Sequence, residues 1–229
     1  MKNKIYCLIC ARKNSKGIKN KNILKFSDTT LVGHSISQAK KIKAISKVFI
    51  STDSNKIIKI SKSLKVTVPY KRPKILSGDK TPEIKVWKHF CNYLEKKGDK
   101  PDYIIVLPVT APLRGLQDIK NAIYKINNKT LDIVFALTKS SKNPYFNIVR
   151  LNKSSIKPVC NSKKKIFRRQ DAPECYDVTT VLYLLKFEYM KKCKNIFSTK
   201  KMDYIIVPKE RSVDIATKFD YQIARALSK

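Results

Sequence analysis

Ile5-Tyr6-Cys7-Leu8-Ile9-Cys10 runs directly into Ala11-Arg12-Lys13-Asn14-Ser15-Lys16-Gly17-Ile18-Lys19-Asn20-Lys21-Asn22. The first six residues are apolar on both faces of an extended chain, the pattern of a strand buried on both sides in a parallel sheet. The twelve that follow hold one glycine, several small or amide side chains and five cations. A loop of this kind at the C-terminal end of a parallel strand is where α/β sheets bind phosphate, because backbone N–H groups and cations converge there. It lacks the G-x-x-x-x-G-K spacing of a Walker A loop. By composition alone a solvated basic turn fits the same residues.

Outward from this stretch, strand-like runs alternate with helical periodicity. Strands are expected over Ile5–Cys10, Lys47–Ser51, Val66–Val68, Tyr103–Leu107 and Asp132–Leu137. Helices are expected over Leu31–Ile42, Ile57–Leu64, Glu83–Lys96 and Leu116–Ile126. In the third helix Ile84, Trp87, Phe90, Cys91 and Leu94 recur at three and four residues, one buried face. The alternation predicts an α/β fold with a mainly parallel sheet flanked by helices. Phe146–Leu151 and Ile156–Val159, around Asn152-Lys153-Ser154-Ser155, read as an inserted, projecting hairpin. Thr179–Leu185 and Tyr204–Val207 return to strand character, and Ala216–Leu227 reads as a closing amphipathic helix. No repeat or linker divides residues 1–229, so a single domain is expected.

The 229 residues carry a net charge of +33, with 42 lysines to eight arginines, spread along the whole chain. A dedicated nucleic-acid binder concentrates its charge and reads bases with arginine, and no such motif occurs. Salt-sensitive, non-specific attraction to nucleic acid is still expected. So is a field that favours a polyanionic substrate. No run approaches a membrane span, the N-terminal run does not read as a signal peptide, and a cytoplasmic protein with reduced cysteines is expected. Cys7 and Cys10 form a C-x-x-C, but residues three apart on a strand point to opposite faces, so they read as core. His34 and His89 are too scattered for a zinc site.

Three further segments hold the makings of a site. Leu107-Pro108-Val109-Thr110-Ala111-Pro112-Leu113-Arg114 follows a strand's C-terminal end and reads as another wall of the same crevice or as a plain turn. Arg168-Arg169-Gln170-Asp171-Ala172-Pro173, followed by Tyr176-Asp177-Val178-Thr179-Thr180, suits a carboxylate- and hydroxyl-bearing ligand through its two arginines and amide, or is a charged surface turn. In Ser212-Val213-Asp214-Ile215-Ala216-Thr217 the aspartate either caps the last helix or holds Mg²⁺ against a triphosphate.

Taken in order, the segments ARKNSKGIKNKN (11–22), LVGHSI (31–36), STDS (51–54), RP (72–73), TAPLR (110–114), NPYFN (143–147), RQDAPECYD (169–177) and VDIAT (213–217) resemble the CMP-sialic acid synthetases, the acylneuraminate cytidylyltransferases. NPYFN and RQDAPECYD look closest to the branch handling legionaminic acid and related nonulosonates. The resemblance implies a Rossmann-like sheet of the nucleotide-diphosphosugar transferase type. It implies transfer of CMP from CTP to the anomeric hydroxyl of an acidic 2-keto-3-deoxy sugar, with release of pyrophosphate. A same-fold enzyme with another acceptor, an octulosonate or a phosphonate, and a non-catalytic basic nucleic-acid-binding protein are the alternatives.

On the resemblance, Arg12, Ser15, Lys16, Gly17, Lys21, Asn22 and Arg72 would bind the nucleotide. Arg12, Lys21 and Asp214 would act in catalysis, and Asp214 would hold Mg²⁺ or Mn²⁺. Thr110, Arg114, Asn143, Phe146, Arg169 and Gln170 would border the sugar. The segment 140–175 would serve dimerisation and the sugar site, with Arg169 and Gln170 reaching the partner's site in a homodimer. The chain departs from the family pattern at three places. Ala216 replaces a second aspartate, Pro108 replaces a glutamine, and Thr179-Thr180-Val181 replaces an Asn-Gly-Ala run.

Overall fold

A computed structural model describes residues 3–152, 155–162 and 165–228. Its centre is a six-stranded sheet. In chain order the main strands are β1 (Ile5–Cys10), β4 (Ile45–Ser51), β5 (Tyr103–Val106), β6 (Ile133–Lys139), β9 (Tyr176–Lys186) and β10 (Met202–Ile206). Across the sheet they lie in the order β10-β6-β9-β5-β1-β4. The pairings β1–β4, β1–β5 and β10–β6 are parallel, and β9 runs antiparallel between β5 and β6. The mainly parallel, Rossmann-type sheet expected from the sequence is thus present, with one reversed strand at its middle.

Strand alternation sorts side chains to the two faces. Ile5, Cys7 and Ile9 of β1 enter the core under α1 (Leu31–Lys40) and α4 (Leu116–Asn128). Tyr6 and Leu8 enter the core beneath α3 (Glu83–Lys96) and α5 (Phe187–Lys192). Cys7 therefore sits in one core and Cys10 packs on the other, and burial raises both thiols, Cys10 to about 12. Neither is a thiolate at neutral pH.

The strand expected at Val66–Val68 is absent. After α2 (Asn55–Ser63) the chain touches the β4 edge only through isolated bridges at Phe49–Thr67 and Thr52–Lys71. A small antiparallel pair, β2 (Lys25–Phe26) and β3 (Thr29–Thr30), leads into α1. The hairpin is β7 (Val149–Asn152) with β8 (Ser155–Pro158), a sheet of its own. Lys153 and Ser154 of its expected turn lie outside the described residues. Phe146–Ile148, expected as strand, form a turn in which the Asn143 carbonyl accepts the N–H groups of Phe146, Asn147 and Ile148. The last helix, α6 (Lys218–Leu227), begins later than expected, because Thr217 and Asp220 cap it reciprocally. That capping box answers the question left open at Asp214, which is not the cap.

β1 is joined through α1 to β4 on one side, and its other neighbour is β5. The crevice beyond Cys10 and Val106 is therefore a topological switch point, where open α/β sheets bind ligands.

Candidate active site

A cleft of about 420 Å³ opens at that switch point, within the range that takes a small ligand. Five segments wall it: the loop after β1, the chain from Arg72 to Val86, Pro108–Thr110 after β5, Thr180 of β9, and Ala216 ahead of α6. Arg12, Ser15, Lys16, Gly17, Lys21, Asn22 and Arg72, all expected to bind nucleotide, line it together.

The loop is shaped by short-range chemistry. Asn20 takes the left-handed conformation (φ 58°), which asparagine tolerates better than most residues. Asn22 is buried and its amide donates to the Arg12 carbonyl at 2.9 Å, closing the loop on itself. The Lys13 N–H donates to the Asp53 carboxylate at 2.7 Å. A Cβ on Gly17 would lie 2.0 Å from the Ala216 carbonyl oxygen, so only glycine lets the loop touch the segment before α6. The Lys21 ammonium crosses the same junction to the Ile215 carbonyl at 2.5 Å. Burial lowers its pKa, Asp214 raises it and Arg12 lowers it again.

Arg72 is buried against β4, with Nε donating to Ser51 Oγ at 3.0 Å and Nη2 to the Ser51 carbonyl. Pinned in this way, it lines the cleft as a rigid fork. The Thr110 carbonyl accepts from the Ile215 N–H at 2.8 Å, which fixes the segment carrying Asp214. Thr180 enters through a bulge: Thr179–Leu182 stand opposite the lone Ala136, between the pairs Phe135–Tyr183 and Leu137–Val178. Bulges re-aim side chains beside active sites. Here the bulge brings the Thr180 hydroxyl to Asp214 Oδ1 at 3.0 Å.

The expected sugar-side residues fare differently. Thr110 lines the cleft. Arg114 does not, which corrects its expected role. It is 2 % exposed. Its guanidinium donates to the carbonyls of Val181 and Pro108 and to Gln38 Oε1 (3.1 Å). Among the described residues no carboxylate pairs with it, and burial pushes its pKa down to about 10. It is a strut joining the cleft wall, the β9 bulge and α1. Asn143, Arg169 and Gln170 line a second hollow with Lys139 and Lys142, apart from the main cleft. The Asn143 side chain ties its own loop to another, donating to the Pro173 carbonyl (2.7 Å) and accepting from the Tyr145 N–H (2.9 Å). Phe146 lines neither cavity.

Sequence reading missed two acids of the cleft. Asp79 pairs with Arg12 at 2.6 Å and Lys16 at 3.6 Å, so a carboxylate occupies the cations that the loop offers to an anion. We predict that Asp79→Asn tightens binding of a nucleoside triphosphate about two- to fivefold, the worth of a half-exposed ion pair no longer broken on binding. Isothermal titration reads this, and unchanged or weaker binding contradicts it. The second acid is Glu83, the first residue of α3. The S-G-D turn and a first-turn glutamate read as ordinary loop and helix-start residues, so only tertiary placement reveals them.

Among the described residues no group of three or more His, Cys, Asp or Glu is built to hold a metal, and no helix is long and apolar enough to cross a membrane.

The family model described as cytidylyltransferase matches residues 6–226. Over 226 residues the chain is 31 % identical to the post-translational flagellin modification protein B of Campylobacter coli, covering 98 % of this chain and 95 % of that one. It is 31 % identical over 231 residues to the CMP-N,N'-diacetyllegionaminic acid synthase of Campylobacter jejuni, covering 97 % and 94 %. Among solved structures, CMP:2-keto-3-deoxy-manno-octonic acid synthetase complexed with CTP superposes with a TM-score of 0.72 at 13 % identity, covering 98 % of each chain. That likeness establishes the fold.

Proposed function

Since the chain belongs to the cytidylyltransferase family and is a CTP-using nucleotidyltransferase acting on an acidic sugar, we propose that its acceptor is a nonulosonate, a sialic or legionaminic type of acid. Its anomeric hydroxyl attacks the α-phosphorus of CTP, CMP is transferred and pyrophosphate leaves. The observation that carries the reading is the convergence of Arg12, Ser15, Lys16, Gly17, Lys21, Asn22 and Arg72 on one cleft at the switch point. The relatives named above add weight to the choice of acid.

Charge grows on the phosphoryl oxygens and the leaving pyrophosphate as the bond breaks. Cations fixed in place beforehand stabilise it without reorganising. Arg12, Lys16 and Lys21 take that role once the nucleotide displaces Asp79. Arg72, pinned to Ser51, orients the base.

Mg²⁺ fits the residues present. One exposed carboxylate, Asp214, is oriented by Thr180 through one oxygen, and Mg²⁺ in nucleotide sites takes one or two carboxylates with phosphate oxygens and waters. When bound, the ion would neutralise phosphate charge and favour departure of pyrophosphate.

We further propose a homodimer in which the 140–175 segment meets the partner. On this segment Leu151 (76 % exposed), Ile156 (70 %) and Phe167 (76 %) present apolar side chains to solvent, surface that a partner would cover. A monomer by light scattering at assay concentration contradicts it.

The test is pyrophosphate release with each of the four nucleoside triphosphates and Mg²⁺, against sialic, legionaminic and pseudaminic acids and an octulosonate. We expect turnover with CTP and a nonulosonate. Turnover confined to the octulosonate, or none with any acid, overturns the reading.

A further inference from the structure

The nucleophile of the proposed reaction is a hydroxyl that must lose its proton, and two carboxylates line the cleft. Of the two acids lining the cleft, Asp79 is held by Arg12 and Lys16. Glu83 forms no ion pair among the described residues. A carboxylate in the first turn of a helix is favoured by the macrodipole in any protein. What singles out Glu83 is that it lines the cleft, with Arg72, Pro108, Thr180 and Ala216, and carries no cation of its own among the described residues.

We propose that Glu83 is a catalytic residue: its carboxylate accepts the proton of the acceptor hydroxyl as that oxygen bonds the α-phosphorus. This rests on the reading of the site as a CMP-transfer cleft. In the step the acceptor O–H bond breaks and its proton passes to Glu83. The oxygen forms its bond to the α-phosphorus, and the bond from that phosphorus to pyrophosphate breaks with its electron pair leaving on pyrophosphate. The proton later passes to solvent.

The surroundings suit a base. Glu83 is exposed to solvent in the open cleft, yet the protein around it partly desolvates its charge and raises its carboxyl pKa. Water in the open cleft weakens the effect, and an acceptor that expels that water strengthens it. Arg72 from the α2–α3 connection pulls the pKa down. Asp214, ahead of α6, acts through space to raise it. Cys10 of β1 and Tyr183 of β9 also face it, and both keep their protons near neutral pH, each raised to about 12. The Trp87 indole, one turn along α3, lies close to Glu83 and favours the ionised carboxylate. Among the described residues its buried N–H completes no hydrogen bond, so it is available to orient the carboxyl.

A base must be ionised to act, so the rate falls as pH drops through the raised Glu83 pKa. The test compares the parent and Glu83→Gln by steady-state kinetics across pH 5–9, with CTP-induced thermal stabilisation measured in parallel. We expect Glu83→Gln to lose about 10²-fold or more in kcat, the usual worth of general base catalysis. The KM for CTP stays within about threefold, CTP stabilisation is retained and the acidic limb of kcat disappears. Glu83→Asp recovers part of the loss. A loss under tenfold, a retained acidic limb, or a loss restored by raising Mg²⁺ overturns the proposal while leaving CMP transfer standing. A parent enzyme that transfers no CMP to any acid overturns both.

Discussion

Lys21→Ala removes the enzyme's hold on CTP. We expect kcat/KM to fall about 10³-fold, the scale on which a fixed electrostatic donor at the transition state acts. CTP-induced thermal stabilisation disappears with it. Lys21 bridges the loop after β1 and the Ile215 carbonyl and sits beside Asp214, so in the proposed complex it is the cation at which nucleotide and metal meet. Stability itself should drop by only about 1 kcal/mol, the net worth of one hydrogen bond, and far-ultraviolet circular dichroism stays unchanged.

The same lysine sets a pH dependence. Burial, its largest influence, lowers its pKa in the free protein, and a bound triphosphate raises it. Affinity for CTP is therefore level below the free-protein pKa of Lys21 and declines as pH rises through it. Titration calorimetry from pH 7 to 10 follows this decline, which Lys21→Ala abolishes. A variant that binds CTP like the parent excludes Lys21 from the site.

Arg114→Met separates a structural arginine from a substrate-binding one. Removing the guanidinium strips donors from the carbonyls of Val181 and Pro108 and from Gln38 Oε1. Each buried acceptor left alone costs about 1–3 kcal/mol. Relief from burying an unpaired charge offsets part of this, so a net loss of about 3 kcal/mol is expected. For a chain of this length that lowers Tm by about 6–12 °C, read by scanning calorimetry. An unchanged Tm with a selective rise in acceptor KM would return Arg114 to the sugar site.

These two residues also mark what was legible in the sequence. The loop after β1 could be read as part of a cleft because its chemistry is contiguous: strand, glycine, amides and cations lie within residues 5–22. Lys21, Asn22 and Gly17 then land in the cleft together. Arg114 shows the opposite case. Its segment follows a strand's end, as a site loop should, but no local pattern tells an arginine facing a ligand from one spent on main-chain carbonyls. Asp79 and Glu83 escaped because each resembles a common local feature, and their meaning comes from residues far along the chain. The apolar rhythm of Val66–Val68 suggested a strand, but only isolated bridges form at the β4 edge. Thr217-Lys218-Phe219-Asp220 carried a legible capping signal, and it places the helix start beyond Asp214. The Thr180 bulge depends on the pairing of β9 with β6, and no single strand's sequence encodes a register.

The most direct measurement is a crystal structure of the protein with CTP and Mg²⁺. We expect the triphosphate on Arg12, Lys16, Lys21 and the backbone of Ser15–Gly17, the base beside Arg72, and Asp79 swung off Arg12. CTP bound elsewhere, or a cleft in which the Arg12–Asp79 pair persists with the nucleotide absent, would contradict the assignment of this cleft.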